Sequence, residues 1–406
     1  MSDIARVLDL NLAPPPAIAA WQRRALVIGV VGAIASVIGW IVNSPMFYRG
    51  YLMAYMLCLG LTLGSMAWLM VYHLTGGHWG TATRRIFEAG MRTLPMMIVL
   101  FAPIVIGIHS LYPWSRHEVL ATDAHLAHLA AQYLSLRFFL FRAAIYFVGW
   151  AFLAWKLDQI SRRQDRPPEV SFDVVLRQVS GPGLVFYALT ISFAAVDWVM
   201  SLDPHWASTI YGLLFMVGQA TISMTLAIMV ASALVKMKPM SAAIRPSEFH
   251  DLGKLTLTCV MLWGWFALSQ WLIIWAGNLP DEITWYFHRT RGGWQFWGVA
   301  LIFSQFVIPF VFLLSRSLKC TAPLLAGVAL WLFLVRWVDM VWFVVPNFPD
   351  TVGHFQFSWL YVAVPVGMTG LWLAYFFRNL GSRPLLAAYD AHVRVLLEES
   401  QEHEHQ

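Results

Sequence analysis

Apolar runs, each about as long as a bilayer is deep, follow one another through nearly the whole chain. A hydrocarbon core of about 30 Å needs roughly 20 apolar helical residues to cross it. Ten segments reach that length, at residues 25–42, 51–74, 88–111, 138–157, 182–201, 208–235, 255–276, 294–315, 321–345 and 357–378. Turn-forming residues separate them: Asn43-Ser44-Pro45, Gly76-Gly77, Arg166-Pro167-Pro168, Asp203-Pro204, Arg291-Gly292-Gly293 and Pro346-Asn347. The pattern predicts ten transmembrane helices. Pro95 and Pro309 fall inside the third and the eighth, where neighbouring helices must satisfy the freed carbonyls.

Composition points the same way. The 406 residues are 59% hydrophobic and 12% charged, where a soluble domain carries about 25% charged residues. The fold class is an all-α integral membrane protein. The net charge of +5 marks orientation and not nucleic acid. Twenty of the 27 lysines and arginines fall on one side of the ten spans. Five (Arg49, Arg116, Arg137, Arg289 and Arg291) fall on the other, and Arg142 and Arg336 lie within spans. By the positive-inside rule the crowded side, which holds both termini, is cytoplasmic. Residues 1–24, interrupted by Pro14-Pro15-Pro16, read as an extended cytoplasmic arm. The first span lacks a small-x-small cleavage site and is expected to be retained. Residues 381–406 read as a cytoplasmic tail.

A repeat organises the interior. Val196-Asp197-Trp198-Val199 with Pro204-x-Trp206, and Val338-Asp339-Met340-Val341 with Pro346-x-Phe348, share the form Val-Asp-x-Val-x4-Pro-x-aromatic. The two acids stand four spans apart, at the outer ends of spans 5 and 9. An even spacing makes the copies parallel, so two four-helix bundles are expected, spans 2–5 (residues 51–207) and 6–9 (208–356). Span 1 (25–50) and span 10 (357–380) flank them. Tyr51-x3-Tyr55 and Tyr211-x3-Phe215 at the starts of spans 2 and 6 support the pairing.

Ionisable residues at such depth are costly and usually face a bundle interior or a polar pathway. Asp197, Asp203, His205, Arg142, Arg336 and Asp339 form a candidate outer-side polar cluster. Arg336 and Asp339, three apart on one helix, can pair. The cluster reads either as charges holding the bundles in register or as a carboxylate–arginine site for quinol or protons. His73 and Glu88, at the cytoplasmic ends of spans 2 and 3, are the candidates for a proton path leading to Asp197, Arg336 and Asp339. Gln219, Thr221, Ser223 and Thr225 on span 6, Ser269 and Gln270 on span 7, and Ser304 and Gln305 on span 8 can continue that path or serve as interhelical hydrogen-bond partners.

Redox ligands are sparse. Only His73 and His109 of the thirteen histidines fall in spans, near opposite faces, so a bis-histidine haem is not expected. The three cysteines are scattered and no C-x-x-C occurs, so neither an iron–sulfur cluster nor a structural zinc site is expected. The Gly76-Gly77 turn lacks the Gly-Lys-Ser of a phosphate loop. The Glu402-His403-Glu404-His405 tail reads as a disordered terminus rather than a metal site.

Two runs carry a resemblance: Leu74-Thr75-Gly76-Gly77-x-Trp79-Gly80 with Arg84-Arg85-Ile86-x-Glu88, and Asp197-Trp198-x-Met200-Ser201-Leu202-x-Pro204-x-Trp206-x-Ser208-Thr209. The chain resembles the F subunit of bacterial alternative complex III, of the polysulfide-reductase membrane-anchor family, over essentially all ten spans. The resemblance implies a multi-pass inner-membrane subunit of a quinol-oxidising respiratory complex. Expected partners are a paralogous C-type membrane subunit, an iron–sulfur subunit, multihaem and monohaem cytochrome c subunits, small membrane subunits and lipids. The iron–sulfur clusters and c haems would belong to those partners. This chain would bind no cofactor alone, beyond a candidate quinone or lipid, and would act as scaffold and proton path. Two alternatives stay open: a quinol site of its own near Asp197, with Arg142, Asp203 and His205, or a stand-alone secondary transporter.

Overall fold

A computed structural model describes residues 13–165, 172–352, 354–387 and 389–396. The expectations for residues 1–12, Arg166–Pro168 and the His403/His405 tail lie outside them. Among the described residues the fold is all-helical, and ten helices are long and apolar enough to cross a membrane. They are span 1 (Pro16–Val42), span 2 (Ser44–Thr75), span 3 (His78–Ile106), span 4 (Leu136–Arg163), span 5 (Asp173–Leu202), span 6 (Tyr211–Leu234), span 7 (Pro246–Gly277), span 8 (Trp294–Leu314), span 9 (Ala322–Asn347) and span 10 (Leu360–Leu380). We call the face where span 1 begins and span 10 ends the terminal face, and its opposite the far face.

The arm expected over residues 1–24 gives way to helix at Pro16, the residue that takes the first helical turn. Proline suits that place because its missing N–H would be unpaired there anyway. Residues 384–387 and 389–396 are not a free tail either. Leu385, Leu386, Val393 and Leu396 are buried against the spans, because their apolar side chains gain from that contact as any core residue does.

Span 2 is the central post. Nearly all its side chains are buried, and it packs against spans 3, 5, 6, 9 and 10. Span 6 is buried almost as fully and packs against spans 2, 5, 7 and 9. The two posts meet closely at Gly64, where a Cβ would stand 2.1 Å from the Gln219 carbonyl oxygen. Trp68 Nε1 donates to Ala220 O at 2.8 Å beside that contact.

Span 3 is built in pieces, His78–Met91, Leu94–Val99 and Ala102–Ile106, with Pro95 and Pro103 in the first turns of the second and third. Span 2 supplies donors to these pieces. Tyr55 Oη donates to Met97 O at 3.2 Å and Tyr51 Oη to Leu100 O at 2.8 Å. The tyrosines thus satisfy carbonyls that lipid could not.

Span 1 docks onto span 10 through small residues. Its buried face is Ala25, Gly29, Gly32, Ser36 and Gly39, spaced four, three, four and three apart along one helical stripe. A Cβ on Gly32 would stand 2.4 Å from Gly367 Cα, and one on Gly29 would stand 2.5 Å from Leu371 N. Only backbone fits, so the helices gain close van der Waals contact along the seam. The other face, including Val27, Val31, Ile34 and Ile41, is exposed and apolar, as a lipid-facing surface requires.

Candidate functional site

Near the far face, span 5 ends at Asp197-Trp198 and tightens into a single turn at Met200–Leu202. Asp197 is completely buried. Arg142 of span 4 meets it as a fork, with Nε donating to Oδ2 and Nη2 to Oδ1, both at 2.8 Å. Tyr146, one turn further along span 4, donates its hydroxyl to Oδ2 at 2.9 Å. Arg142 is itself held by Tyr133, through the carbonyl at 3.1 Å and the ring, whose centroid is 3.8 Å away. Bidentate charge-assisted bonds are among the stronger ones in proteins. Both Asp197 oxygens are engaged, and Trp198 with Phe101, Phe147 and Trp150 packs beside them. The pair is therefore arranged to hold charge in place.

The second acid has a thinner shell. Asp339 of span 9 is buried and receives Arg336 Nη1 on Oδ2, and its other polar neighbours are the neutral side chains of Gln305 and Trp263. Span 8 loosens into a π-helical turn at Ile302–Val307, which carries the buried Gln305. With its amide oxygen turned inward, Gln305 accepts from Trp263 Nε1 at 3.1 Å and Arg336 Nη1 at 3.0 Å. A wide turn of this kind often re-aims a side chain at a functional position. Gly218 of span 6 makes room for the guanidinium, since a Cβ there would stand 1.9 Å from Arg336 Nη2. The two acids thus differ in the source of their cation. Asp197 takes it from a neighbouring helix and Asp339 from its own.

The remaining far-face candidates go elsewhere. Asp203 Oδ2 stands 3.8 Å from His288 Nδ1, in the loop between spans 7 and 8. His205 Nε2 pairs with Asp123 Oδ2 at 2.9 Å. Asp123 also accepts from Leu126 N at 2.9 Å at the start of the Ala124–Gln132 helix. That backbone bond is the main reason its carboxyl sits below the ordinary range, with His205 adding to it. Burial holds His288 below its usual value. His205 therefore ties loops together, Asp203 stands beside His288 without a hydrogen bond, and neither joins the Arg142–Asp197 pair.

At the terminal face, Glu88 is locked between two arginines of its own helix. Arg84 Nε and Arg85 Nη1 each donate to it at 2.7 Å, and Ser161 Oγ donates at 2.7 Å. Arg84 also reaches Asp390 Oδ2 at 2.7 Å and the Gln164 amide oxygen, and Arg85 reaches Asp165. Arg84, Arg85, Glu88 and Asp390 are all buried. Beside them, Arg162 and Arg383 both pair with Asp158, at 2.9 and 2.8 Å. Replacing Asp390 with Asn removes the acid that draws the C-terminal segment onto Arg84. The 384–396 stretch is then expected to become sensitive to added protease while the spans stay folded. Equal protection in both proteins would show that Leu385, Leu386 and their neighbours hold it alone.

His73 is buried on span 2, with Nδ1 3.0 Å from Ser180 Oγ of span 5 and Nε2 without a partner. It does not touch Glu88 by any hydrogen bond. The hydroxyls of Thr221, Ser223, Thr225 and Ser304 turn back onto carbonyls of their own helices. Gln270 is buried with neither amide atom paired.

Several members of these clusters escape a reading by hydropathy. Tyr146, Gln164, Asp165 and Asp390 look like ordinary segment-end polar residues in the sequence. Arg289 looks like an outer-loop charge, yet it is wholly buried. It caps span 9, donating to Trp342 O, Phe343 O and Asn347 Oδ1 at 3.2, 3.4 and 2.9 Å, and stacks on Trp285. Burial pushes its pKa down to about 9. The cation instead complements the negative end of the helix dipole.

Among the described residues no group of three or more His, Cys, Asp or Glu side chains is placed to hold a metal ion. Ten apolar spans with charges paired in their interior define a multi-pass helical membrane protein. Comparison with described protein families finds no match to the chain, and no curated protein matches it either.

Proposed function

We propose that the chain is an integral, cofactor-free subunit of a quinol-oxidising respiratory complex of the alternative complex III type. It would lie in a bacterial inner membrane with both termini cytoplasmic. The Leu74–Gly80, Arg84–Glu88 and Asp197–Thr209 runs support the assembly, and the twenty-to-five split of basic residues supports the orientation. Spans 2–5 and 6–9 are then parallel four-helix repeats. Their neighbours agree with this: spans 2, 3 and 5 pack together with span 4 on span 5, and spans 6, 7 and 9 pack together with span 8 on spans 7 and 9.

In this reading the repeats have divided their labour. The observation that carries it is the unequal bonding of the two equivalent acids. Asp197 accepts three hydrogen bonds and has no idle oxygen, so it serves as a scaffold charge. Asp339 is met by one cation through a single nitrogen, from its own helix, and otherwise by the neutral side chains of Gln305 and Trp263, so it is the acid placed to take up and release a proton. Asp339→Asn in the complex, reconstituted into vesicles, is expected to lower the protons moved per electron while quinol oxidation continues. Unchanged stoichiometry would leave this chain a scaffold only.

A further inference from the structure

Spans 2, 6 and 9 line a small cavity of about 10 Å³. Its walls include Met56 and Gly60 of span 2, Gly218 and Gln219 of span 6, and Arg336 and Met340 of span 9. Most of this lining is apolar, and a purely apolar cavity of such size would stay dry. Two side chains break that rule. Gln219 accepts from Tyr187 Oη at 2.9 Å through its amide oxygen, which leaves Nε2 with no partner. Arg336 spends Nη1 on Asp339, and its Nε has no partner either. Each residue is only 3% exposed, so bulk solvent cannot satisfy these donors. A buried N–H left unmade costs about as much as a lost hydrogen bond.

We propose that this cavity is a hydration site, holding one ordered water that accepts from Gln219 Nε2 and Arg336 Nε. The volume suits a single water and excludes anything larger. The charge suits water as well. Arg336 is already neutralised by Asp339, so an anion would find no net attraction, while both lining donors call for an acceptor. The water completes a line of hydrogen bonds running from Tyr187 of span 5 through Gln219 of span 6 to Arg336 and Asp339 of span 9. It ties spans 5, 6 and 9 together and fixes the guanidinium that faces Asp339. Gly60 and Gly218 keep the space open, because a Cβ on Gly60 would press on Gln219 Cγ at 3.3 Å. The site stands whether or not Asp339 moves protons.

The test uses the full-length wild-type protein in lipid nanodiscs. An experimental density map fine enough to show ordered water is expected to hold one peak about 2.7–3.2 Å from both nitrogens. Radiolytic labelling gives an independent readout, because radicals form from water where the water is bound. Met56 and Met340, 3% and 2% exposed, are expected to oxidise several-fold faster than Met66 and Met70, which are also buried but do not line the cavity. An empty cavity in the map, or Met56 and Met340 oxidising no faster than Met66 and Met70, overturns the site.

Discussion

Arg142→Leu lowers the stability of the protein by about 3–5 kcal/mol, the cost of leaving a buried charge without its partner. The expectation rests on position. Asp197 is completely enclosed and receives three hydrogen bonds, two of them from Arg142. With the guanidinium gone, Tyr146 alone faces the carboxylate, which must either stay charged in an apolar setting or take up a proton. The double variant Arg142→Leu/Asp197→Leu removes both charges and is expected to recover most of the loss. A pair replaced by apolar side chains often costs little, whereas a broken pair costs much. Thermal unfolding of the purified variants in one detergent measures both. If the double variant is no more stable than Arg142→Leu, the pair does not behave as a buried salt bridge.

Gly32→Leu is expected to undock span 1 from span 10. The first added atom already meets Gly367 Cα at 2.4 Å, and backbone cannot rotate aside as a side chain can. Overpacking of this kind costs about 3 kcal/mol, concentrated on one peripheral helix whose other face touches lipid. The posts formed by spans 2 and 6 should stay folded. A reporter cysteine at Ser36, itself buried in the seam, distinguishes the outcomes in a Cys320→Ser background. It should react with a lipid-soluble thiol reagent only when Gly32 is also leucine. Reaction in the parent at the same rate would mean that the seam is already open.

The ten helices are legible in the sequence because a bilayer-length apolar run has few other ways to satisfy its backbone. Their ends are less so. Spans 1, 5 and 7 begin at Pro16, Asp173 and Pro246, well before their apolar runs, since Arg23, Arg177 and Glu248 end the hydropathy signal without interrupting the helical hydrogen bonds. Span 3 extends back to His78 for a related reason. Arg84 and Arg85 look like loop charges until Glu88, Asp165 and Asp390 are seen to neutralise them. The Arg336–Asp339 pair is readable from its three-residue spacing, because a helix carries that contact by itself. Arg142–Asp197 spans 55 residues, and nothing in the local pattern names the partner. The seam of Ala25, Gly29, Gly32, Ser36 and Gly39 is written plainly in span 1. Hydropathy overlooks it because glycine and alanine register as merely apolar.

The Arg84–Asp390 contact has a consequence for biogenesis. Asp390 follows Arg84 by 306 positions, so the arginine enters the nascent bundle long before its acid has been synthesised. Until then the cation must stay hydrated at the membrane surface or lean on Glu88 alone. The terminal face cannot close over it before the ribosome has passed Asp390. Span 1, docking on span 10, waits in the same way. A prematurely terminated product therefore lacks both latches, and an unsealed arginine and a bare glycine seam are features that a membrane quality-control protease can recognise.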